Sequence, residues 1–362
     1  MRHLAKRLSL AIMLSTGLSV SAADFKVSEL ATDLVHPWGM AFLPNGDAIV
    51  SERGAGIRIL SADGKLSELL DGVPEAAIVG QGGYLGVAVD PNFNTNQKVY
   101  LCLSVEGDGG RGTEVHVGKL KDAAITMVEP VFIQSPKIDS AHHFGCRMVF
   151  KDAHLYISLG DRGSVKEQAQ NTNNHIGSVV RLNLDGSVPS DNPFIEGEAP
   201  EIFTYGHRNV QGMVVHPETG DVWTHEHGPK GGDEINILAK GNNYGWPSIT
   251  YGVNYNGSII TDETAMEGMQ QPLTYWVPSI APSGMAFYSG EQFPEWQGDL
   301  FVGSLKFRHL HHIKLKGNKV VSQHELLSDR DERIRDVVLG PDGSLYLLTD
   351  APKGKILKLS KN

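Results

Sequence analysis

The feature that most constrains this chain is a turn followed by a short β-rich run, which recurs six times. Each turn carries Pro, Asp, Asn or Gly, residues that favour tight turns, and each run is rich in strand-forming side chains. The copies lie roughly 45 to 80 residues apart. The turns and their runs are 44–47 with 48–51, 90–93 with 98–101, 151–153 with 155–158, 217–220 with 221–224, 294–298 with 299–302, and 341–343 with 344–347.

One such unit cannot bury both faces of its sheet, whereas six units arranged around an axis bury them against one another. The pattern therefore predicts an all-β fold, a six-bladed β-propeller of four-stranded antiparallel blades; the alternative is an irregular β-sandwich. The 41 glycines and 18 prolines agree with many short strands joined by turns. Long intervals over residues 160–215 and 225–285 predict functional loops on one face.

The first 23 residues have the pattern of a secretory signal peptide, with basic residues before a short apolar run and small residues at the expected cleavage site. A membrane anchor is the alternative, but the run is short for one. We therefore expect residues 24–362 to be exported as a single propeller domain, periplasmic in a Gram-negative cell or otherwise secreted, without stable membrane insertion. A net charge of −10 and the lack of a later basic run argue against nucleic-acid binding.

Only two cysteines are present, Cys102 and Cys146. They could pair in an oxidising compartment, but two cysteines do not make a disulfide framework. Because each lies in an apolar, strand-like run, the sequence favours two buried thiols.

Two polar clusters suit catalysis. His143 precedes a predicted strand pair and Asp161 follows it, so adjacent antiparallel strands could bring them together as a general base oriented by a carboxylate. The alternative is a capping histidine in a turn. Arg208, beside Asn209 in a glycine-flanked loop, suits an anionic group or a developing oxyanion, with an ordinary surface ion pair as the alternative.

Two further clusters suit ligands. The run 225–234 contains Gly-Pro and Gly-Gly, which leave backbone carbonyls available, and Asp233 and Glu234, hard oxygen donors that suit calcium. Zinc at His225 and His227 is the weaker alternative, since no third ligand lies at suitable spacing. Arg333 and Arg335 alternate along an extended run, so they share a face and, with Lys306, could clamp a polyanion or form a solvated edge. Residues 309–312 predict a strand with surface histidines.

Taken in order, these motifs resemble the soluble, PQQ-dependent aldose sugar dehydrogenases of the glucose/sorbosone dehydrogenase family. The resemblance extends from about residue 38 to residue 349. Its motifs are 81–86 (QGGYLG), His143 with Gly145 and Arg147, 160–163 (GDRG), 205–212 (YGHRNVQG), 226–229 (EHGP), 233–236 (DEIN), 243–247 (NYGWP), 304–306 (SLK) and 333–336 (RIRD).

The resemblance implies a six-bladed propeller with the quinone over the channel mouth, and it implies a role for each site residue. The catalytic residues would be the base His143, its supporting carboxylate Asp161, and Arg208 facing the reacting quinone oxygen. The remaining cofactor contacts would be Gln81, Asn209, Lys306, Arg333 and Arg335. Calcium would be held by the carbonyls of Gly228 and Pro229, and a second, structural calcium by Asp233 or Glu234 with the backbone of Tyr244.

The implied activity is PQQ- and calcium-dependent oxidation of aldoses at the anomeric carbon to lactones, with electrons passed to an external acceptor. The chain is shorter than the family's glucose dehydrogenases, so we expect broad aldose use and a monomer or weak dimer. Two rivals are a calcium-dependent propeller lactonase, which would leave the Lys306, Arg333 and Arg335 set unexplained, and a non-catalytic propeller that binds a glycan or partner, which would not need His143 beside Asp161.

Overall fold

The computed structural model describes residues 24–362, so the predicted signal peptide at residues 1–23 lies outside the described part of the chain. Within residues 24–362, the strands form six antiparallel sheets arranged as a six-bladed β-propeller, which confirms the predicted fold. Helical structure there is limited to one short α-helix, α1 (Phe93–Asn96), and three 3-10 helices, Lys166–Gln170, Pro294–Trp296 and Ser328–Arg330.

The blades are numbered along the chain, and their strands are given from the channel outward. Blade 1 holds β2 (Pro37–Phe42), β3 (Ala48–Glu52) and β4 (Gly56–Leu60); blade 2 holds β5 (Tyr84–Val89), β6 (Lys98–Gly107), β7 (Gly110–Lys121) and β8 (Ala124–Ile133). Blade 3 holds β9 (Met148–Lys151), β10 (His154–Ser158), β11 (Ser178–Asn183) and β12 (Ile202–Tyr205); blade 4 holds β13 (Val210–Val215), β14 (Val222–Glu226), β15 (Asp233–Ile237) and β16 (Thr274–Trp276). Blade 5 holds β17 (Pro282–Phe287), β18 (Leu300–Ser304), β19 (Leu310–Lys316) and β20 (Lys319–Leu326); blade 6 holds β21 (Ile334–Leu339), β22 (Leu345–Thr349), β23 (Gly354–Lys361) and β1 (Phe25–Leu34).

The ring is closed by the two ends of the described chain. The innermost strands β2, β5, β9, β13, β17 and β21 contact one another in sequence, and β21 also contacts β2. Strand β1 supplies the outermost strand of blade 6 by pairing antiparallel with β23, with Phe25 opposite Lys361. The first and last blades are thereby joined without a free edge between them.

Blade 1 departs from the four strands expected of each blade. It has three strands, and the chain turns back after β4 through a turn in which Gly64 adopts a φ of 86°. The segment that follows continues the sheet only irregularly, through an isolated bridge between Leu60 and Leu66 and through the N–H groups of Ser67 and Leu70, which donate to the carbonyls of Ile59 and Ile57 at 2.8 Å.

The repeated turns have the structure that their composition predicts. In the first, the Leu43 N–H donates to the Asp47 carbonyl at 2.7 Å, and the Asn45 side-chain oxygen accepts the Asp47 N–H at 3.1 Å. Gly46 adopts a φ of 89°, a conformation that glycine tolerates better than other residues. This geometry returns the chain directly from β2 into β3.

The hydrophobic core lies between the blades. Six clusters of buried apolar side chains occupy the six blade-to-blade contacts. For example, Trp223 of blade 4 packs in the same cluster as Leu300 of blade 5. Each blade is thus stabilised chiefly by burying its faces against two neighbours.

The prediction of two buried thiols is wrong, because Cys102 and Cys146 form a disulfide with their Cα atoms 5.7 Å apart. Both residues are fully buried, as expected. However, Cys102 lies in β6 of blade 2, whereas Cys146 lies just before β9 of blade 3. Their proximity arises from the packing of one blade on the next, which local sequence does not reveal.

The prediction of surface histidines at 309–312 is also wrong. His309, His311 and His312 are all buried. His312 stacks on the Phe301 ring at 4.6 Å and contacts Asp299 at 2.8 Å, while the His311 ring lies edge-on to Trp276 at 5.6 Å. Aromatic rings and a carboxylate from elsewhere in the chain thus cover these histidines. The sequence shows no acidic residue close to them, so it gave no sign of this burial.

Candidate functional site

A cavity of about 640 Å³ lies at one end of the ring. Most of its wall residues lie just before the innermost strand of a blade or just after the second strand of a blade. Because the innermost and second strands pair antiparallel, these two positions lie at the same end of the blade. Seven of the residues predicted for cofactor or calcium contacts line it: Gln81, Asn209, Gly228, Pro229, Lys306, Arg333 and Arg335. Loops from separate blades therefore meet at one site.

His143 and Asp161 form a buried pair beside this cavity. The antiparallel pairing of β9 with β10 brings the residues before one strand next to those after the other, as the sequence predicted. His143 Nδ1 donates to Asp161 Oδ1 at 2.6 Å, because a carboxylate can only accept. Asp161 is itself held by the Gly163 N–H and by Trp246 Nε1, each at 2.7 Å. The imidazole is thus fixed through Nδ1, which leaves Nε2 for a ligand.

Burial decides the protonation state of this pair. Removal from water lowers the pKa of His143, the hydrogen bond that His143 donates to Asp161 raises it, and the charges of Arg208 and His142 lower it, so the net shift is downward. Burial acts to raise the pKa of Asp161, but the hydrogen bond and charge of His143 with the charge of Arg208 outweigh it, and the net shift is again downward. Both shifts favour a neutral imidazole beside an ionised carboxylate.

Neither His143 nor Arg208 belongs to the wall of the large cavity; both lie directly behind it. The His143 N–H donates to the side-chain oxygen of Gln81, a wall residue, at 2.9 Å. Arg208 Nη1 donates to the carbonyls of His227 at 3.0 Å and Gly228 at 2.9 Å, two further wall residues. Arg208 thus places a buried positive charge against the loop predicted to hold calcium.

The cationic residues of the wall are organised by a carboxylate. Arg333 and Arg335 donate to the same oxygen of Asp350, at 3.0 and 2.9 Å, and His36 Nδ1 contacts the other at 2.9 Å. Burial would raise the pKa of Asp350, but Arg335, His36 and Arg333 hold it far below its usual range. The buried Nε atom of Arg335 also has no hydrogen-bond partner among residues 24–362. The two arginines are therefore fixed side by side with donor capacity left over.

Sequence reasoning missed several wall residues, among them Trp38, Arg53, Tyr255 and Asp350. Two of them have a positional signal. Arg53 directly follows β3 and Asp350 directly follows β22, so each lies just after the second strand of its blade, and Asp161 lies three residues after the end of β10. Alignment of the six repeats on their second strands would have found both. Tyr255 lies in the long loop after β15, and no repeat position identifies it.

The predicted metal ligands differ in their surroundings. The two oxygens of Asp233 accept backbone N–H groups of Gly228, Ile280 and Ala281 at 2.7 to 3.0 Å, and burial raises the pKa of Asp233 to about 6. Asp233 therefore anchors a loop, and its lone pairs are largely used.

Glu234 is the better-placed carboxylate. It lines a small buried cavity together with Glu226 and Tyr244. Burial and repulsion from Glu226 raise the pKa of Glu234 to about 8, and its nearest polar partner is Asn236 Nδ2 at 3.3 Å.

The zinc alternative finds no support in the geometry. His227 Nε2 donates to the Pro282 carbonyl, and His225 is fully buried against Gly212. Within residues 24–362, no cluster of three or more His, Cys, Asp or Glu side chains is arranged to hold a metal ion.

Across residues 24–362, no helix is long and apolar enough to cross a bilayer.

Fold and site together define a β-propeller with a cationic cavity bounded by the loops of one end. The family model for glucose / sorbosone dehydrogenase matches residues 34–358, and the chain is 44% identical to aldose sugar dehydrogenase YliI of Escherichia coli (strain K12) over 96% of each chain. The protein therefore belongs to the glucose/sorbosone dehydrogenase family.

Solved structures agree with this assignment. The apo-form of the soluble aldose sugar dehydrogenase from Escherichia coli superposes with a TM-score of 0.91 at 43% identity, covering 93% of this chain and 100% of that one. The PQQ-bound form of an aldose sugar dehydrogenase from Streptomyces coelicolor superposes with a TM-score of 0.75 at 26% identity, covering 94% and 99%.

Proposed function

We propose that this protein is a PQQ- and calcium-dependent aldose sugar dehydrogenase, which oxidises aldoses at the anomeric carbon to lactones and passes the electrons to an external acceptor. The observation that carries the proposal is the His143 imidazole, hydrogen-bonded through Nδ1 to Asp161 directly behind a cationic cavity, where burial lowers its pKa. Family membership and the PQQ-bound relative support the choice of cofactor.

The residues of the large cavity fit the quinone. PQQ carries three carboxylates, and its recognition calls for several positive charges around a mainly concave site. The described wall contains one carboxylate, that of Asp350, against six cationic side chains: Arg53, Lys230, Lys306, Arg308, Arg333 and Arg335. The partnerless Nε of Arg335 is a donor that an anionic ligand would satisfy.

The donor sets also fit calcium, a cation that prefers carbonyl and carboxylate oxygens. The carbonyls of Gly228 and Pro229 lie on the loop that borders the large cavity. The second set, Glu234 with Tyr244, borders the small cavity, which Glu226 and Arg208 also line, and Glu226 contacts His207 Nδ1 at 2.8 Å. A divalent cation would relieve the repulsion between Glu226 and Glu234.

The protein's part in the reaction follows from these positions. When bound, the quinone with its calcium would supply the redox chemistry by accepting a hydride equivalent from the sugar. His143 Nε2 takes the proton of the anomeric hydroxyl, because Nδ1 is committed to Asp161 and burial keeps the imidazole neutral. Asp161 then stabilises the imidazolium, and Arg208 provides fixed positive charge at the wall for developing negative charge.

The setting of the enzyme is part of the proposal. We propose export after removal of residues 1–23, to the periplasm in a Gram-negative cell, and function as a monomer or weak dimer. The Cys102–Cys146 disulfide supports an oxidising compartment, where such bonds persist.

The decisive experiment adds PQQ and calcium to the purified protein and follows reduction of an artificial electron-accepting dye with glucose and other aldoses. We expect dye reduction that requires both additions, and a loss of about 10²–10⁴-fold in His143→Ala with the cofactor still bound. His142→Ala, which alters the exposed neighbouring imidazole, is the matched control and should retain most of the activity.

Near-normal turnover by His143→Ala would refute the assignment of the base. Lactone hydrolysis without quinone would replace the proposal with a lactonase. Sugar binding without either activity would replace it with a non-catalytic glycan-binding propeller.

A further inference from the structure

The segment that carries His143 has an unusual backbone. Within four residues, His143, Gly145 and Cys146 adopt φ angles of 53°, 65° and 81°. Only glycine enters this left-handed region readily, so His143 and Cys146 are held against their own preference. Non-glycine residues persist there when the surrounding structure over-determines them, as commonly happens at functional sites.

Non-covalent contacts hold the first part of the segment. The His143 N–H donates to Gln81 at 2.9 Å, and the Gly145 N–H donates to Asn209 Oδ1 at 3.2 Å. Between them, the Phe144 carbonyl accepts the Thr113 hydroxyl at 2.6 Å. Gln81 and Asn209 also face the large cavity, so two of these anchors belong to the wall that a ligand would contact.

A covalent contact holds the last part of the segment. Cys146 is bonded to Cys102, which lies within β6 of blade 2, and both residues are fully buried. The Cys146 N–H donates to the Ser158 carbonyl of blade 3 at 2.7 Å. Gly86 packs so closely that an added Cβ would overlap the Cys146 carbonyl oxygen. Cys146 is therefore the point at which the catalytic segment is joined to both adjoining blades.

We propose that the Cys102–Cys146 disulfide is a positioning element for His143: it holds Cys146 in the left-handed conformation and so keeps the imidazole turned onto Asp161. The catalytic consequence rests on the proposed function. A disulfide that served only to stabilise the propeller could join many pairs of strands, whereas this one ends three residues from the proposed base. Once the bond is absent, Cys146 is free to relax to a negative φ, and the buried imidazole loses its fixed placement.

The test uses two double variants of the full chain. Cys102→Ala with Cys146→Ala removes the bond and leaves a residue that disfavours a φ of 81°. Cys102→Ala with Cys146→Gly also removes the bond, but glycine accepts this φ freely. Alanine at a φ of 81° strains the native backbone by more than glycine adds entropy to the unfolded chain, so the glycine variant should be at least as stable as the alanine variant. Positioning and stability therefore rank these two variants alike, and a variant that changes stability alone is needed to distinguish them.

The first readout needs no cofactor: the titration of the His143 imidazole by NMR, in the field of Asp161, Arg208 and His142. In the alanine variant we expect the pKa of His143 to rise toward its ordinary value, because the ring becomes accessible to water, and in the glycine variant to return toward the wild-type value. The second readout is dye reduction with PQQ and calcium, where kcat should fall at least about tenfold in the alanine variant, with KM little changed, and recover in the glycine variant.

Val117→Ala is the matched control, since Val117 is buried in the same apolar cluster as both cysteines. It should lower the melting temperature and leave the His143 titration unchanged. An alanine double variant with wild-type titration and kcat would overturn the proposal, as would a kcat that falls with melting temperature in Val117→Ala as it does in the alanine double variant. If wild-type protein shows no quinone-dependent turnover, the proposed function fails, while the NMR titration still decides the positioning role.

Discussion

Replacement of Asp161 by Asn tests the central arrangement of the site, because an amide has one acceptor oxygen where the carboxylate uses two. Asp161 Oδ1 accepts His143 Nδ1–H and the Gly163 N–H, while Oδ2 accepts Trp246 Nε1–H. If the amide oxygen stays with Trp246, the NH₂ group faces His143 Nδ1 and moves the imidazole proton to Nε2. If the oxygen stays with His143, the NH₂ group faces the indole N–H, and two buried donors oppose each other.

Either outcome impairs the base. The first places a proton on the nitrogen that must accept one, and loss of a general base typically costs about 10²–10⁴-fold. The second leaves unsatisfied donors and removes a charge-assisted hydrogen bond of about 1.5–3 kcal/mol. We therefore expect kcat of Asp161→Asn to fall by about 10²–10⁴-fold, equivalent to about 2.7–5.4 kcal/mol of activation free energy. Steady-state dye reduction at saturating PQQ and calcium measures it.

The pH dependence supplies an independent check with a defined sign. The neutral imidazole is the active form, so kcat/KM falls as the pH drops through the pKa of His143. The hydrogen bond and charge of Asp161 raise this pKa, whereas burial, Arg208 and His142 lower it. Removal of the carboxylate should therefore shift the acidic limb of the profile to lower pH, on a reduced plateau.

Glu201→Gln is the matched control for Asp161→Asn. Glu201 forms a comparable pair with His175 at 3.1 Å in the same part of the ring but outside the cavity wall. It should leave kcat essentially unchanged. Turnover of Asp161→Asn above one tenth of wild type would contradict the reasoning, as would an acidic limb that moves to higher pH.

Three further perturbations test the remaining parts of the site. Lys306→Met removes a wall cation and should weaken PQQ binding by about tenfold, in a salt-sensitive manner measurable by equilibrium titration. Calcium at 100 times its Kd should raise the free energy of unfolding of the wild type by about 2.7 kcal/mol. Glu234→Gln should reduce the calcium-dependent rise in melting temperature. An equal rise in both proteins would exclude Glu234 as a ligand. Gly86→Ala should cost about 1–3 kcal/mol in denaturant unfolding, because its Cβ would overlap the Cys146 carbonyl.

Much of the fold and part of the site could be predicted from short stretches of sequence. The contact of His143 with Asp161 was predictable because both flank the paired strands β9 and β10. The shared face of Arg333 and Arg335 was predictable from the twofold period of extended chain. In each case the two residues belong to one hairpin or one strand, where the local geometry of the chain determines which side chains lie close together.

Other features could not be predicted, for a common physical reason. The repeat position marks Asp350, which follows β22, as a wall residue, but it does not reveal that Asp350 joins His36 to two arginines. The protonation state of His143 depends on how fully the surrounding loops exclude water. Burial lowers the pKa of His143 by more than the adjacent carboxylate raises it. Burial and charge at a loop junction are set by several blades at once.

By itself, the sequence determined the repeating turn-and-strand unit and hence a propeller, because turn residues and strand alternation act within a few positions along the chain. Only the tertiary structure decided that Cys102 pairs with Cys146, that Arg208 turns toward the Gly228 carbonyl and that Asp233 is an anchor for backbone N–H groups. The disulfide joins blades 2 and 3, and Asp233 of blade 4 also accepts the N–H groups of Ile280 and Ala281 before blade 5, so these contacts exist only once the blades have stacked. The Arg208 contact joins the loop before β13 to the loop after β14 and depends on the folded conformation of those loops.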